Sequence, residues 1–145
     1  MLTQAEADAL MAMLKRLAKR ETLMFPSLGQ SSQWEVKSDD GRESFLIDVQ
    51  RKGMIKITKC TFQERYHVVE ILARPDIDGP PHENPDGEEV PCPHLHIYRE
   101  GFEDKWAFPI PEDRFTDTGE LFKSLREFLV YCNVQDIPPI QGGIA

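Results

Sequence analysis

Residues 33–51, QWEVKSDDGRESFLIDVQR, decide the fold. Gln33–Lys37 and Glu43–Arg51 both carry the β-branched, aromatic and alternating pattern of half-buried strands. Asp39-Asp40-Gly41 between them is turn chemistry, so the stretch reads as a β-hairpin. The pattern continues outward. Met54–Phe62 and Tyr66–Arg74 read as further strands, entered through Arg51-Lys52-Gly53 and a Gln63-Glu64-Arg65 corner. Connections this short predict an antiparallel meander.

A helix is expected on either side of these strands. At the N-terminus, Thr3 and Glu6 have capping-box spacing, and Ala7, Leu10, Met11, Leu14, Leu17 and Ala18 repeat on one face. Lys15, Arg16, Lys19 and Arg20 then fall in its last turns, as a solvated basic end or a phosphate-contacting patch. A second helix is expected from near Asp117, with Leu121, Phe122, Leu125, Phe128, Leu129 and Cys132 on one face and Asn133 as its cap. The tail VQDIPPIQGGIA cannot continue it, and Ile137 and Ile140 could anchor the tail as an extended strap. The fold class expected is α+β: an N-terminal helix, a five- to six-stranded antiparallel meander and a C-terminal helix in one domain, 1–145. Its divisions are helix and linker to residue 25, sheet over 33–110, helix over 117–133 and tail from 134.

Residues 75–93, PDIDGPPHENPDGEEVPCP, differ in kind, with six prolines, six acids and no Lys or Arg. Loops this long inside a domain are usually functional or disordered, and the prolines favour a shaped one. Strand His94–Arg99 follows, then a turn over residues 100–104 and an edge strand, Lys105–Ile110. Alternation along Cys92-Pro93-His94-Leu95-His96-Ile97-Tyr98 puts Cys92, His94, His96 and Tyr98 on one face and Leu95 and Ile97 on the core face. With His82, three of the four histidines lie in this short segment, which is where function is expected. His67 stands apart and reads as structural, and Trp34 and Trp106 as core or rim fillers.

Composition narrows the classes. The chain has 145 residues, 40% hydrophobic and 29% charged, with no apolar run of membrane-spanning length. Cys60, Cys92 and Cys132 are odd in number and form no CxxC pair, which suits reduced thiols in the cytoplasm. A net charge of −8 disfavours a broad nucleic-acid groove but allows a few cations focused at one site. No GxGxxG, GxxxxGK[ST], GxSxG or HExxH occurs.

Three chemistries fit the histidine segment. Metal-free RNA cleavage needs a base, an acid and cations at phosphorus. His82, His94 and His96 are the candidates for proton transfer, with Asp76 to orient an imidazole. Arg74, Tyr98, Arg99 and Lys105 are the candidates to hold substrate. Alternatively His94 and His96 ligate a metal with His82, Cys92 or a loop carboxylate, which would make the protein a metal-dependent hydrolase, although CxHxH matches no common structural zinc spacing. In the third case the imidazoles simply bond to loop carbonyls. No metal and no cofactor is the leading expectation.

The run GPPHENPDGEEVPCPHLHIYREGFEDKWAFPIP, with FLVYCN and IPPIQ, resembles a family of uncharacterised small prokaryotic and phage proteins over roughly residues 40–141. A looser resemblance is to TumE-type toxins of toxin–antitoxin pairs. It rests on the Asp40-Gly41 turn, Arg74 and Asp76 at a strand end, the His94/His96 strand and the Leu121–Leu129 helix face. That resemblance implies a His-dependent toxin, a ribonuclease acting on RNA and restrained by a cognate antitoxin. The long loop with His82 and the N-terminal helix depart from the toxin pattern. The alternative is a non-catalytic acidic protein of a mobile element, anti-defence or antitoxin-like, occupying a basic groove on a partner protein. Self-association as a homodimer is compatible with either, and no membrane partner is expected.

Overall fold

The computed structural model describes residues 1–51 and 57–142. In chain order the elements are α1 (Gln4–Ala12), β1 (Lys15–Leu17), β2 (Leu23–Phe25), β3 (Ser31–Ser38), β4 (Ser44–Gln50), β5 (Thr61–Tyr66) and β6 (Glu70–Asp76). They continue with β7 (His82–Glu83), β8 (Glu89–Val90), β9 (His94–Ile97), β10 (Ala107–Pro109), α2 (Leu121–Tyr131), β11 (Val134–Gln135) and β12 (Ile140–Gly142). The main sheet runs β10-β9-β6-β5-β4-β3-β1-β11, antiparallel except for the β1–β11 pair. The fold is α+β with two helices among the described residues, as the sequence pattern predicts.

Alternation explains why the sheet has a dry face and a polar one. Val36, Phe45, Ile47, Val49 and Phe62 point to the face covered by the helices, where Leu125, Phe128 and Leu129 of α2 meet them in one buried cluster. Their neighbours Gln33, Asp48, Thr61, Gln63 and Arg65 occupy the opposite face, and the candidate residues Arg74 and Asp76 lie on that side. Asn133 adopts the left-handed conformation that ends α2 (φ 62°), and Ile137 and Ile140 pack the tail onto the core. No helix is long and apolar enough to cross a membrane among the described residues.

The N-terminal helix is shorter than its apolar period predicts. The capping box forms, but α1 ends at Ala12, and Asn133 Nδ2 takes the carbonyls of Met11 and Ala12 at 3.3 and 3.1 Å. Lys15–Leu17 instead pairs with β3 on one side and β11 on the other. Lys15 is therefore neither a helix end nor part of a phosphate patch. It is wholly buried, donating to the carbonyls of Met11 (3.2 Å) and Cys132 (2.9 Å) and lying 3.4 Å from Glu64 Oε1. Tertiary strand pairing has overridden local helix propensity.

Three other boundaries move. Gln63, Glu64 and Arg65 are the middle of β5 rather than a corner, because alternation turns Glu64 inward to Lys15 and leaves its neighbours outward. The chain reverses later, at His67 and Val68, both left-handed (φ 51° and 67°). Of the strand expected over Met54–Phe62, residues 57–60 are not strand and Thr61 and Phe62 are, while residues 52–56, with most of the Arg51-Lys52-Gly53 turn, lie outside the described residues. The second helix starts at Leu121, four residues after Asp117, whose backbone carbonyl instead accepts from Ser124 Oγ.

Burial is the largest influence on the Glu64 carboxyl and pushes it up to about 7, while the Lys15 ammonium pulls the other way. The folded state thus favours the protonated acid. That contribution is whole below the ordinary value of 4.5 and is lost as pH rises through about 7. Thermal melts of the wild type should show stability falling over that window, and Glu64→Gln should flatten the decline. An unchanged slope in the variant would refute this role.

Candidate functional site

Strands β6 and β9 pair so that Arg74 lies opposite His96 and Asp76 opposite His94. Antiparallel partners share a face, so two strands bring an Arg, an Asp and two imidazoles together without any loop. His94 Nε2 and His96 Nε2 each lie 3.1 Å from the same atom, Asp76 Oδ2. Asp76 Oδ1 accepts from the Thr61 hydroxyl at 2.9 Å and lies 3.6 Å from Arg74 Nε. Arg74 is held in place by Asp104 (2.7 Å), and its other terminal nitrogen is 3.1 Å from His96 Nε2.

The remaining ring nitrogens determine the tautomers. His94 Nδ1 lies 3.2 Å from the Val90 carbonyl, and His96 Nδ1 lies 2.8 Å from the Asp104 carbonyl. A carbonyl only accepts, so each Nδ1 carries the hydrogen and each Nε2 of a neutral ring presents a lone pair. Both lone pairs face a carboxylate oxygen. Burial alone would raise the Asp76 carboxyl, but a hydrogen bond donated by His96 when its Nε2 also carries a proton, the charge of Arg74 and the Thr61 hydroxyl outweigh it and hold it at about 2. The carboxylate is charged at neutral pH, and a cation between Oδ2 and the imidazoles, a proton or a metal ion, is what makes the cluster attractive.

Loop 75–93 supplies the lid. It folds into the β7–β8 hairpin around a tight turn closed by Asn84 and Gly87, with Asn84 N donating to Glu88 O at 2.8 Å. Asn84 also docks the hairpin on the edge strand, exchanging hydrogen bonds with the backbone of Ala107 at 3.0 and 2.8 Å. His82 rides on this hairpin. Its Nε2 bonds the Lys105 carbonyl at 2.7 Å, and its ring centroid lies 4.5 Å from that of His96 and 6.0 Å from that of His94.

The rings do not stand in an open hollow: His94 is 2% and His96 1% exposed. Access comes through Asp76, whose side chain is 24% exposed. Asp76 and Thr61 line both a polar groove of about 510 Å³ along the outer sheet face and a smaller one of about 230 Å³ beside His82 and Cys92. In the larger groove Asp48 gathers Gln33, Gln63 and a two-pronged contact from Arg65 (2.6 and 3.0 Å).

The structure thus brings together His82, His94, His96, Asp76 and Arg74. It separates the other three candidates. Tyr98 is buried in the core with its hydroxyl on the Leu2 carbonyl at 2.7 Å. The cause is a bulge: the β5–β6 register shifts so that Leu72 is an extra residue, and Tyr98, bonded to it through its backbone, turns inward. Arg99 lies 4.6 Å over the Trp106 ring, and Lys105 meets His82 through its carbonyl while its side chain is exposed. Thr61 and Asp104 were missed. Thr61 serves Asp76 across a strand pair and Asp104 serves Arg74 and, through its backbone carbonyl, His96; only the RxD spacing of Arg74 and Asp76 hints at a strand of shared polar function.

The geometry defines a class: an α+β domain with a buried Asp/His/His centre opening on a polar sheet face. The chain belongs to the DUF6978 family, a family of unknown function, whose model matches residues 2–134. No curated protein and no solved structure matches it.

Asn84→Ala should release the hairpin from β10. Losing two buried hydrogen bonds costs on the order of 1–3 kcal/mol. Hydrogen exchange should show the Ala107 amide unprotected while the amides of β3–β5 stay slow, and uniform loss of protection would show that Asn84 is not a local latch.

Proposed function

We propose that this protein cleaves RNA or a related phosphodiester at the Asp76–His94–His96 centre and acts as a toxin-type enzyme restrained by a partner protein. One observation carries the reading. The β6–β9 register places a guanidinium, a carboxylate and two imidazoles at one point on the outer sheet face, beside a groove of about 510 Å³. In-line attack on phosphorus needs a proton acceptor, a proton donor and positive charge at the non-bridging oxygens. Arg74, paired with Asp104, supplies only part of that charge. If the cation bridging Asp76 and the imidazoles is a proton, His94 and His96 exchange it with the 2′-hydroxyl and the leaving oxygen through Nε2, while the Val90 and Asp104 carbonyls keep the rings in one tautomer. The half-buried His82 adds a third imidazole at the rim. The order of Arg74, Asp76, His94 and His96 along the chain is that of the toxins it resembles, and their convergence in space adds to that resemblance.

Expression of the wild type should slow growth and shorten cellular RNA, and purified protein should cut RNA. His96→Ala should abolish both with its melting temperature and circular dichroism close to wild type. A harmless wild type that leaves RNA intact would end this reading.

The exposed acidic hairpin supports a second reading. Glu83, Asp86, Glu88 and Glu89 all face solvent, and the 75–93 segment has no Lys or Arg to offset them. Such a surface suits a basic groove on a partner protein. Reversing these four charges should then abolish complex formation and its steep salt dependence, while His96→Ala leaves binding intact; binding indifferent to the reversal would refute it.

A further inference from the structure

We propose that Asp76, His94 and His96 form a site for one divalent first-row transition-metal ion of the zinc or manganese class. The inference concerns the centre of the activity proposed above and rests on that reading for its catalytic meaning, although metal binding itself is tested without RNA. Four observations converge on it.

The three ligand atoms lie within 4.8 Å of one another, and each Nε2 is 3.1 Å from Oδ2. Ligands about 2.0–2.2 Å from a common ion stand about 3.0–3.5 Å apart at right or tetrahedral angles, which the two Oδ2–Nε2 distances match, and the wider span of the set would close on an ion. The Nδ1 hydrogens of both rings are committed to the Val90 and Asp104 carbonyls, the outer-sphere arrangement that aims metal-binding histidines. Asp76 is divided in the same sense: Oδ1 is taken by the Thr61 hydroxyl, and Oδ2 is turned to the imidazoles. Finally, the rings are almost fully buried, so no bulk water relieves the His94 lone pair set against a carboxylate oxygen, and that of His96 has only the Arg74 guanidinium at 3.1 Å.

The donor set also selects the ion. Two imidazoles and one carboxylate suit zinc, manganese, cobalt or nickel better than calcium or magnesium. Cys92 is not a donor: its sulfur is nearer His94 Nδ1 (3.5 Å) than Nε2 (4.0 Å) and bonds the Pro80 carbonyl. Three protein ligands leave positions for water or a phosphate oxygen, as in catalytic rather than structural sites. Arg74 would yield its contact with His96 Nε2 and keep its anchor on Asp104.

The test uses the full chain without a histidine tag, stripped with chelator and titrated with Zn²⁺ and Mn²⁺ by calorimetry. Binding of one ion per chain with a rise in melting temperature is expected. His96→Ala and Asp76→Asn should weaken it more than about 100-fold, beyond the 10–100-fold of an outer-shell change, whereas Cys92→Ser should not. A readout that needs no variant is the wild type loaded with Cu²⁺: its electron paramagnetic resonance should show coupling to two imidazole nitrogens. No stoichiometric binding, binding that survives loss of His96 or Asp76, or a nitrogen count other than two would overturn the site. Stoichiometric binding with RNA left intact sinks the ribonuclease reading alone, and RNA cleavage by stripped protein that takes up no ion sinks the metal alone.

Discussion

Everything at the centre depends on one carboxylate oxygen, Asp76 Oδ2, shared by two imidazoles across a strand boundary. The sharing is enforced rather than incidental. The sheet register fixes which residues face each other, and the carbonyls of Val90 and Asp104 fix which nitrogen of each ring points inward. Val90 belongs to the loop hairpin and Asp104 to the turn after β9, so the two irregular segments flanking β9 act as clamps on its side chains. Asp104 does this twice, its carbonyl holding His96 and its carboxylate holding Arg74. The core's contribution is indirect: by anchoring β5 and β6 it makes the strand positions rigid enough for the clamps to matter.

A second buried charge cluster shows what this arrangement is not. Lys15 and Glu64 are both wholly inaccessible and sit on the helix-covered face, within the apolar core. Burying such a pair recovers little net stability, because desolvation consumes most of the attraction. Its effect is on where the chain goes. A lysine satisfied by the carbonyls ending α1 and α2, and by an acid in the middle of β5, locks the turn from helix to β1. It is sealed from solvent, whereas Asp76 lines two grooves. Burial with access distinguishes the Asp76 cluster from burial without it.

The parts legible in the sequence were those where period and local chemistry agree. Gln33–Lys37 and Glu43–Arg51 alternate cleanly about an Asp-Gly turn, and the α2 face repeats at helical spacing, so both appear near their expected positions. The cluster was legible for the same reason: His94 and His96 are two apart on a strand, and Arg74 and Asp76 two apart on another. Legibility failed where a residue breaks its local rule for a distant partner. Glu64 looks like turn chemistry until Lys15 is found over it, and the α1 period runs on through Leu17 although β3 and β11 claim that segment. Tyr98 follows the alternation rule on paper and breaks it in space because a bulge in a different strand shifts the phase. Backbone carbonyls, which set the tautomers, leave no trace in a sequence at all.

The electrostatics of the groove bear on how an acidic chain would hold an anionic substrate. Arg65 is engaged by Asp48 through two contacts, and Arg74 by Asp104, so the guanidiniums nearest Asp76 are already neutralised. A phosphate arriving there meets pairs rather than bare cations, and a net charge of −8 repels it at longer range. Attraction must therefore be generated at the centre. A bridging proton cancels the single charge of Asp76 and leaves the site near neutral. A divalent ion held there would reverse it, giving the floor of the groove a local excess of about one positive charge. On the proposed reading, the protein's acidity would then disfavour non-specific nucleic-acid binding and leave affinity concentrated at that centre.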